Sequence, residues 1–260
     1  MAETIHRPSW VPPTRPQLHL TGVHFDAVRI RDIRRELDDV RVERSNELVR
    51  AARGGDLALV VRLLDAGVPV DALDDDARTA LDLAAQENHA DVVRVLLAAG
   101  ADTAAHAGPY HDLTPLTCAA MVGSTDAVAA LLDAGVSMGA QDRIPYTPLM
   151  LAAGDNRPET VALLIDRGAD LEDRAMKGRT ALEWAACRGS VESVVVLLRR
   201  GAEATDTALR CALRHADRGE EERERYGRVV RALRYARARA PGTAATSPDA
   251  APAGPRSPGS

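Results

Sequence analysis

The chain has 260 residues, 45% of them apolar, with a formal charge of −5 and a single phenylalanine among few aromatics. That apolar fraction can bury a substantial interior, but the scarcity of rings argues against a conventional globular core, which leans on them. The mild charge lends no support to nucleic-acid binding, and no apolar stretch approaches the ~20 residues needed to span a bilayer.

Residues 1–20 carry Pro8, Pro12, Pro13 and Pro16, lack the apolar core of a signal peptide and are predicted to be loosely ordered. With no leader signal, the cytoplasm is the default compartment. In residues 21–45, Ile30, Ile33, Leu37 and Val40 form a stripe at helical spacing among arginines and acids. This pattern predicts a short capping helix over the first repeat.

From residue 46 a phrase of two aliphatics, two variable residues and a glycine returns. It reads Leu63-Leu64-Asp65-Ala66-Gly67 and recurs to Gly100, Gly135, Gly168 and Gly201, separations of 33, 35, 33 and 33 residues. Such a period means stacked supersecondary units rather than one closed core. A second phrase keeps step, starting at Thr79-Ala80-Leu81, Thr114-Pro115-Leu116, Thr147-Pro148-Leu149 and Thr180-Ala181-Leu182, each followed by paired alanines. Threonine supplies an N-cap hydroxyl, proline suits the first helical position, and the leucine and alanines share one helical face. A third column, Gly55, Asn88, Gly123, Asn156 and Gly189, uses only the two residues that tolerate a left-handed helix end, taking Asn46 as the first cap. Each unit is therefore two helices joined by a tight turn.

These three columns resemble the ankyrin repeat, a helix–turn–helix pair with a projecting β-turn finger and a Thr-Pro-Leu-His-x-Ala-Ala signature. The resemblance covers roughly residues 46–216 and implies an all-α repeat solenoid of about six units, the first and last being atypical caps. The repeats read as 46–76, 77–111, 112–144, 145–177, 178–208 and 209–240, followed by a Pro/Ala/Gly/Ser-rich tail, 241–260, that composition marks as disordered. One column departs from the family: the signature histidine is replaced by Asp82, Thr117, Met150 and Glu183. In the family this histidine ties neighbouring loops, so inter-repeat hydrogen bonding is expected to suffer while the fold survives.

Chemistry-bearing motifs are missing. There is no phosphate-cradling glycine loop, nucleophile elbow or His-Glu-x-x-His sequence, and the reading is of a non-enzyme without metal or cofactor. His106, His111 and Asp112 in the longest finger match no metal spacing, and Cys118, Cys187 and Cys211 are read as reduced, packed thiols. Trp184 stands where a regular repeat carries leucine and reads as core. The arginine-rich stretch 199–239 has acids three or four residues from its arginines, as in a solvated helix with internal ion pairs. Arginine in place of lysine, with abundant alanine and glycine, suggests a bacterial, actinomycete-like composition.

Ankyrin proteins hold partners through finger tips and the concave face of their first helices. Carried over by column, the resemblance implies a protein-binding surface with an acidic end at Asp75 and Asp76. Its centre is Tyr110, His111, Leu113, Met121, Val122, Arg143, Ile144 and Tyr146, and its basic end Lys177, Arg179 and Arg188. An apolar patch of this kind marks an interaction site. The expectation is a scaffold or regulator, monomeric on its own, that binds a protein rather than nucleic acid or membrane. The alternatives are a regulatory subunit docked through Leu18–Arg44 and, more remotely, an enzyme.

Overall fold

A computed structural model of the chain describes residues 27–104, 113–139, 146–174, 178–216 and 219–239, and among them every regular element is a helix. By its contacts the chain divides into Met1–Val40, described as helix from Ala27, and Arg41–Ser260. Among the described residues twelve helices follow one another: α1 (Ala27–Gly54), α2 (Leu57–Asp65), α3 (Ala80–Gln86), α4 (Ala90–Ala98), α5 (Pro115–Val122) and α6 (Thr125–Asp133). The second half holds α7 (Pro148–Gly154), α8 (Pro158–Asp166), α9 (Ala181–Arg188), α10 (Val191–Arg199), α11 (Asp206–His215) and α12 (Glu220–Arg239). They make six consecutive pairs, four regular between two atypical ones, as the repeat columns imply.

Odd-numbered helices pack on one another from α3 to α11, and even-numbered helices do the same from α2 to α12. The two rows bury differently. First helices are enclosed by neighbours on both sides and by their own second helix, so α7 buries all seven residues from Pro148 to Gly154. Second helices bury one stripe, such as Val92, Val93 and Leu96 of α4. Repeated alanines (Ala84 and Ala85, Ala119 and Ala120, Ala152 and Ala153, Ala185 and Ala186) are wholly buried where first helices meet, which allows close approach.

The caps work as their residue types require. Thr79, Thr114, Thr147, Thr180 and Thr205 all take extended backbone, and each hydroxyl accepts the N–H three residues on. Asn46 does not cap: α1 runs through it without a break into the first repeat. Its side chain instead exchanges two 3.1 Å hydrogen bonds with Asp75 of the next finger. Every glycine of the repeated phrase has φ between 82 and 98°, so a side chain there would be strained. In the last repeat Arg237 stands at that column, and α12 runs on to Arg239.

The turn column hides a two-repeat alternation. At Asn88 and Asn156 (φ 64 and 56°) the side-chain oxygen accepts the N–H of Ala127 and Ser193 in the next repeat, capping α6 and α10. Ser124 and Ser190, the local N-cap residues, make no capping bond and donate back to the carbonyls of Gln86 and Gly154. At Gly55, Gly123 and Gly189 a large side chain from the next repeat lies over the glycine. His89, Arg157 and Tyr226 then donate to the carbonyls of Arg53, Met121 and Cys187 at 3.0–3.2 Å. Each inter-repeat joint is closed either by asparagine plus serine or by glycine plus a long donor.

Candidate partner-binding surface

Of the expected surface, Tyr110, His111, Arg143, Ile144 and Lys177 lie outside the described residues, as do His106 and Asp112. Leu113, Met121, Val122, Tyr146 and Arg179 are half-buried, and Asp75, Asp76 and Arg188 are exposed.

The acidic end is less acidic than its sequence. Asp74 closes the first finger by accepting the N–H groups of Asp76 and Arg78, and Asp75 is held by Asn46. Arg78 pairs with Asp76 at 3.4 Å. Arg50, Arg53 and Arg78 line a recess of about 250 Å³ together with Asp74, Asp75 and Asp76. Three carboxylates thus face three guanidinium groups, and the finger is mixed in charge. At the other end Arg188 is neutralised by an ion pair with Asp155 and donates to the Gly154 carbonyl at 3.0 Å.

The central stretch holds a feature that sequence reasoning placed in the core. Trp184 of α9 is only half-buried, its ring centroid 4.9 Å from that of Tyr146 and 5.8 Å below the Arg179 guanidinium. Tyrosine, tryptophan and arginine, from two successive fingers and one first helix, form a single ledge. Gly154 makes room for it, because a Cβ there would collide with the indole of Trp184. The signal was present in the sequence: glycine stands at 154 in a column that otherwise holds Gln86, Met121 and Cys187, one repeat before the tryptophan.

The departed histidine column splits by residue. Glu183 accepts the N–H of Thr180 at 3.3 Å and the hydroxyl of Thr205, in the next repeat, at 2.8 Å, keeping an inter-repeat bond. Thr117 makes a local capping box with Thr114, and Met150 is packed apolar. Asp82, one methylene shorter than Glu183, reaches only the Thr79 hydroxyl, and its Oδ1 is buried without a hydrogen-bond partner. Burial pushes its carboxyl up to about 6, against the opposing pull of the Thr79 bonds and Arg78.

Two cysteines differ from expectation. Cys187 of α9 and Cys211 of α11 are joined as a disulfide, with Cα atoms 4.9 Å apart. Spacing alone gave no hint of it, since the pair is created by stacking. Cys118 remains a thiol, pushed up to about 12 by burial, with the Asp82 charge adding to the shift. The arginines of 199–239 also pair differently: Arg228 reaches Glu192 on α10, and Arg200 reaches Asp166 on α8, neither on its own helix.

Among the described residues no group of three metal-ligating side chains comes together, and no helix is long and apolar enough to cross a membrane. No curated protein matches the sequence significantly. The family model described as Ankyrin repeats (3 copies) matches residues 48–142 and 116–208, more than half of the chain. Ankyrin repeats are generally protein–protein interaction modules and typically non-enzymatic. The three repeating columns, the two helix rows and this match agree: the chain belongs to the ankyrin-repeat family.

Proposed function

We propose that this protein is a non-catalytic interaction module that holds a protein partner on its fingers and first helices, centred on the ledge of Tyr146, Trp184 and Arg179. The ledge carries the reading. Tyrosine, tryptophan and arginine are the residue types that dominate interface energies when packed on a rigid base. Here their base is the buried row of first helices. Leu113, Met121 and Val122 continue the apolar surface, with Tyr110, His111, Arg143 and Ile144 belonging to the same fingers. The mixed finger at Asp75 and Asp76 forms its rim, where charges set association rate and salt dependence more than affinity.

The reading is tested by affinity purification with the full chain and with Tyr146→Ala, Trp184→Ala and Arg179→Ala. A partner lost from the triple variant, with helicity and cooperative melting retained, supports it. Undiminished affinity sends the site elsewhere. A second reading, docking through the N-terminal segment, is favoured by the exposure of Val40 and Val42 on α1, at 46% and 52%. Deleting residues 1–44 separates the two, because only the second reading loses its partner.

A further inference from the structure

The sixth repeat is attached to the stack differently from the rest. Of α11 only Ala208 and Ala212 are buried, against five residues of α9 and all seven of α7. The helix α12 opens on six residues, Glu220 to Arg225, of which all but Glu222 are exposed, before Tyr226, Val229, Val230 and Leu233 pack into the core. Between repeats five and six the polar ties include Thr205 to Glu183 at 2.8 Å, Tyr226 to the Cys187 carbonyl at 3.1 Å and an exposed Arg228–Glu192 pair. A terminal repeat has a neighbour on one side only, so it sits at the low-stability end of a stack and opens locally before the rest. One covalent bond opposes that opening, the disulfide from Cys187 to Cys211, which closes a sequence separation of 24.

We propose that this disulfide is a reversible redox latch. Oxidation fastens the sixth repeat to the fifth, and a dithiol reductant of the Cys-x-x-Cys class releases it. Both cysteines are half-buried rather than sealed in the core, so a reductant thiolate can approach. The two sulfurs are not equivalent. Cys211 lies mid-helix with the exposed Arg210 and Arg214 beside it in sequence and one turn on, whose positive charges favour a thiolate. Cys187 lies in the last turn of α9, where the helix dipole disfavours negative charge. Cys211 is therefore the leaving group.

The reductant thiolate attacks Cys187 Sγ, the Cys187–Cys211 bond breaks, and its electron pair departs on Cys211 Sγ, which takes up a proton. The reductant's second thiol then displaces Cys187. The reductant ends as a disulfide, having supplied two electrons and two protons, and the chain ends with two thiols. Release restores the chain entropy that the closed loop had removed and loosens α11 and α12. It also frees the far edge of the helix that carries Trp184 and Arg188, but the latch does not depend on what binds there.

The test uses the full chain, oxidised and then treated with a thioredoxin-type dithiol, with peptide mapping under non-reducing conditions and amide hydrogen exchange. Expected in the oxidised form is a cross-linked peptide joining Cys187 and Cys211, with Cys118 alone carrying a thiol. After reduction, exchange across α11 and α12 should rise about tenfold or more, that of α3 to α8 should stay unchanged, and reoxidation should reverse the effect. Cys187→Ser with Cys211→Ser should exchange fast in α11 and α12 whatever the reductant, and Cys118→Ser should behave as the unaltered chain. The proposal is overturned if both cysteines remain alkylatable after oxidation, if reduction leaves α11 and α12 as protected as before, or if exchange rises equally in every helix. Because the reduced and oxidised forms share one sequence, a misfolded double variant does not remove the test.

Discussion

Leu131 and Tyr146 lie 15 positions apart in sequence and show how this molecule divides its labour. Leu131 belongs to a column that repeats as Leu96, Leu131, Leu164 and Leu197, each with 0% exposure. The position of Tyr146 keeps no one residue type: it holds Arg78, Leu113, Tyr146 and Arg179 in turn, all half-buried. Columns that recur make the stack, and columns that vary make its surface particular. A change in the first kind should lower stability wherever it is made, whereas a change in the second should alter what is held.

The largest expected effect lies on the repeating side. Leu131→Ala should cost about 2–5 kcal/mol, because the methyl groups it removes are fully enclosed between helix rows. Chemical denaturation measures this, and a loss below ~1 kcal/mol would break the assignment of that column to the interior.

Asp82 sharpens the comparison because it is a buried column residue that fits badly. Its carboxyl is raised in the folded chain to about 6 from 3.8, so folding favours the protonated form. The penalty is absent below about pH 4, where both states are protonated, grows as pH rises through the interval to about 6, and is full above it. Asp82→Asn should therefore gain on the order of 1–3 kcal/mol over the unaltered chain at pH 7.5 and lose that advantage towards pH 4. Melts of the two proteins at both pH values give the difference, and a variant less stable at pH 7.5 would refute the burial argument.

Asn156→Gly comes next. Glycine is the native residue at three of the five turn positions and suits the left-handed backbone, yet here it would remove the cap on Ser193 N–H and the 2.6 Å bond to Glu192. The expected loss is about 1 kcal/mol, read by denaturation, and a gain in stability would show that the two joint types are interchangeable. The smallest stability change is expected at Tyr146→Ala. Loss of its ring contact with Trp184 should cost about 0.5 kcal/mol, well short of Leu131→Ala.

Repetition also decided what could be read from sequence. The threonine caps, the phrase glycines and the alanine pairs recur in phase, so the six helix pairs were legible, and the hydroxyls of Thr79, Thr114, Thr147 and Thr180 cap where that column puts them; the sixth pair starts earlier than read, at the Thr205 cap rather than at residue 209. Features that occur once were harder. Asn46 looked like one more cap, but nothing interrupts the helix before it, and its side chain found the next finger instead. Trp184 was read as core because its column is leucine elsewhere; the vacancy at Gly154 that turns it towards Tyr146 belongs to a different repeat. The Cys187–Cys211 bond joins neighbouring repeats through their stacking, which no local spacing encodes. In each case the deciding contact crosses from one repeat to the next.

The central claim is that the ledge, not the scaffold beneath it, selects a protein partner. Binding and melting should be measured together for the unaltered chain and for the combined Tyr146→Ala, Trp184→Ala and Arg179→Ala variant against whichever protein the unaltered chain retains. The expected result is affinity reduced by a factor of about 30 or more, in line with interface losses of ~2 kcal/mol at such residues, with one cooperative unfolding transition preserved. Equal affinity for that partner by a folded variant would contradict the account.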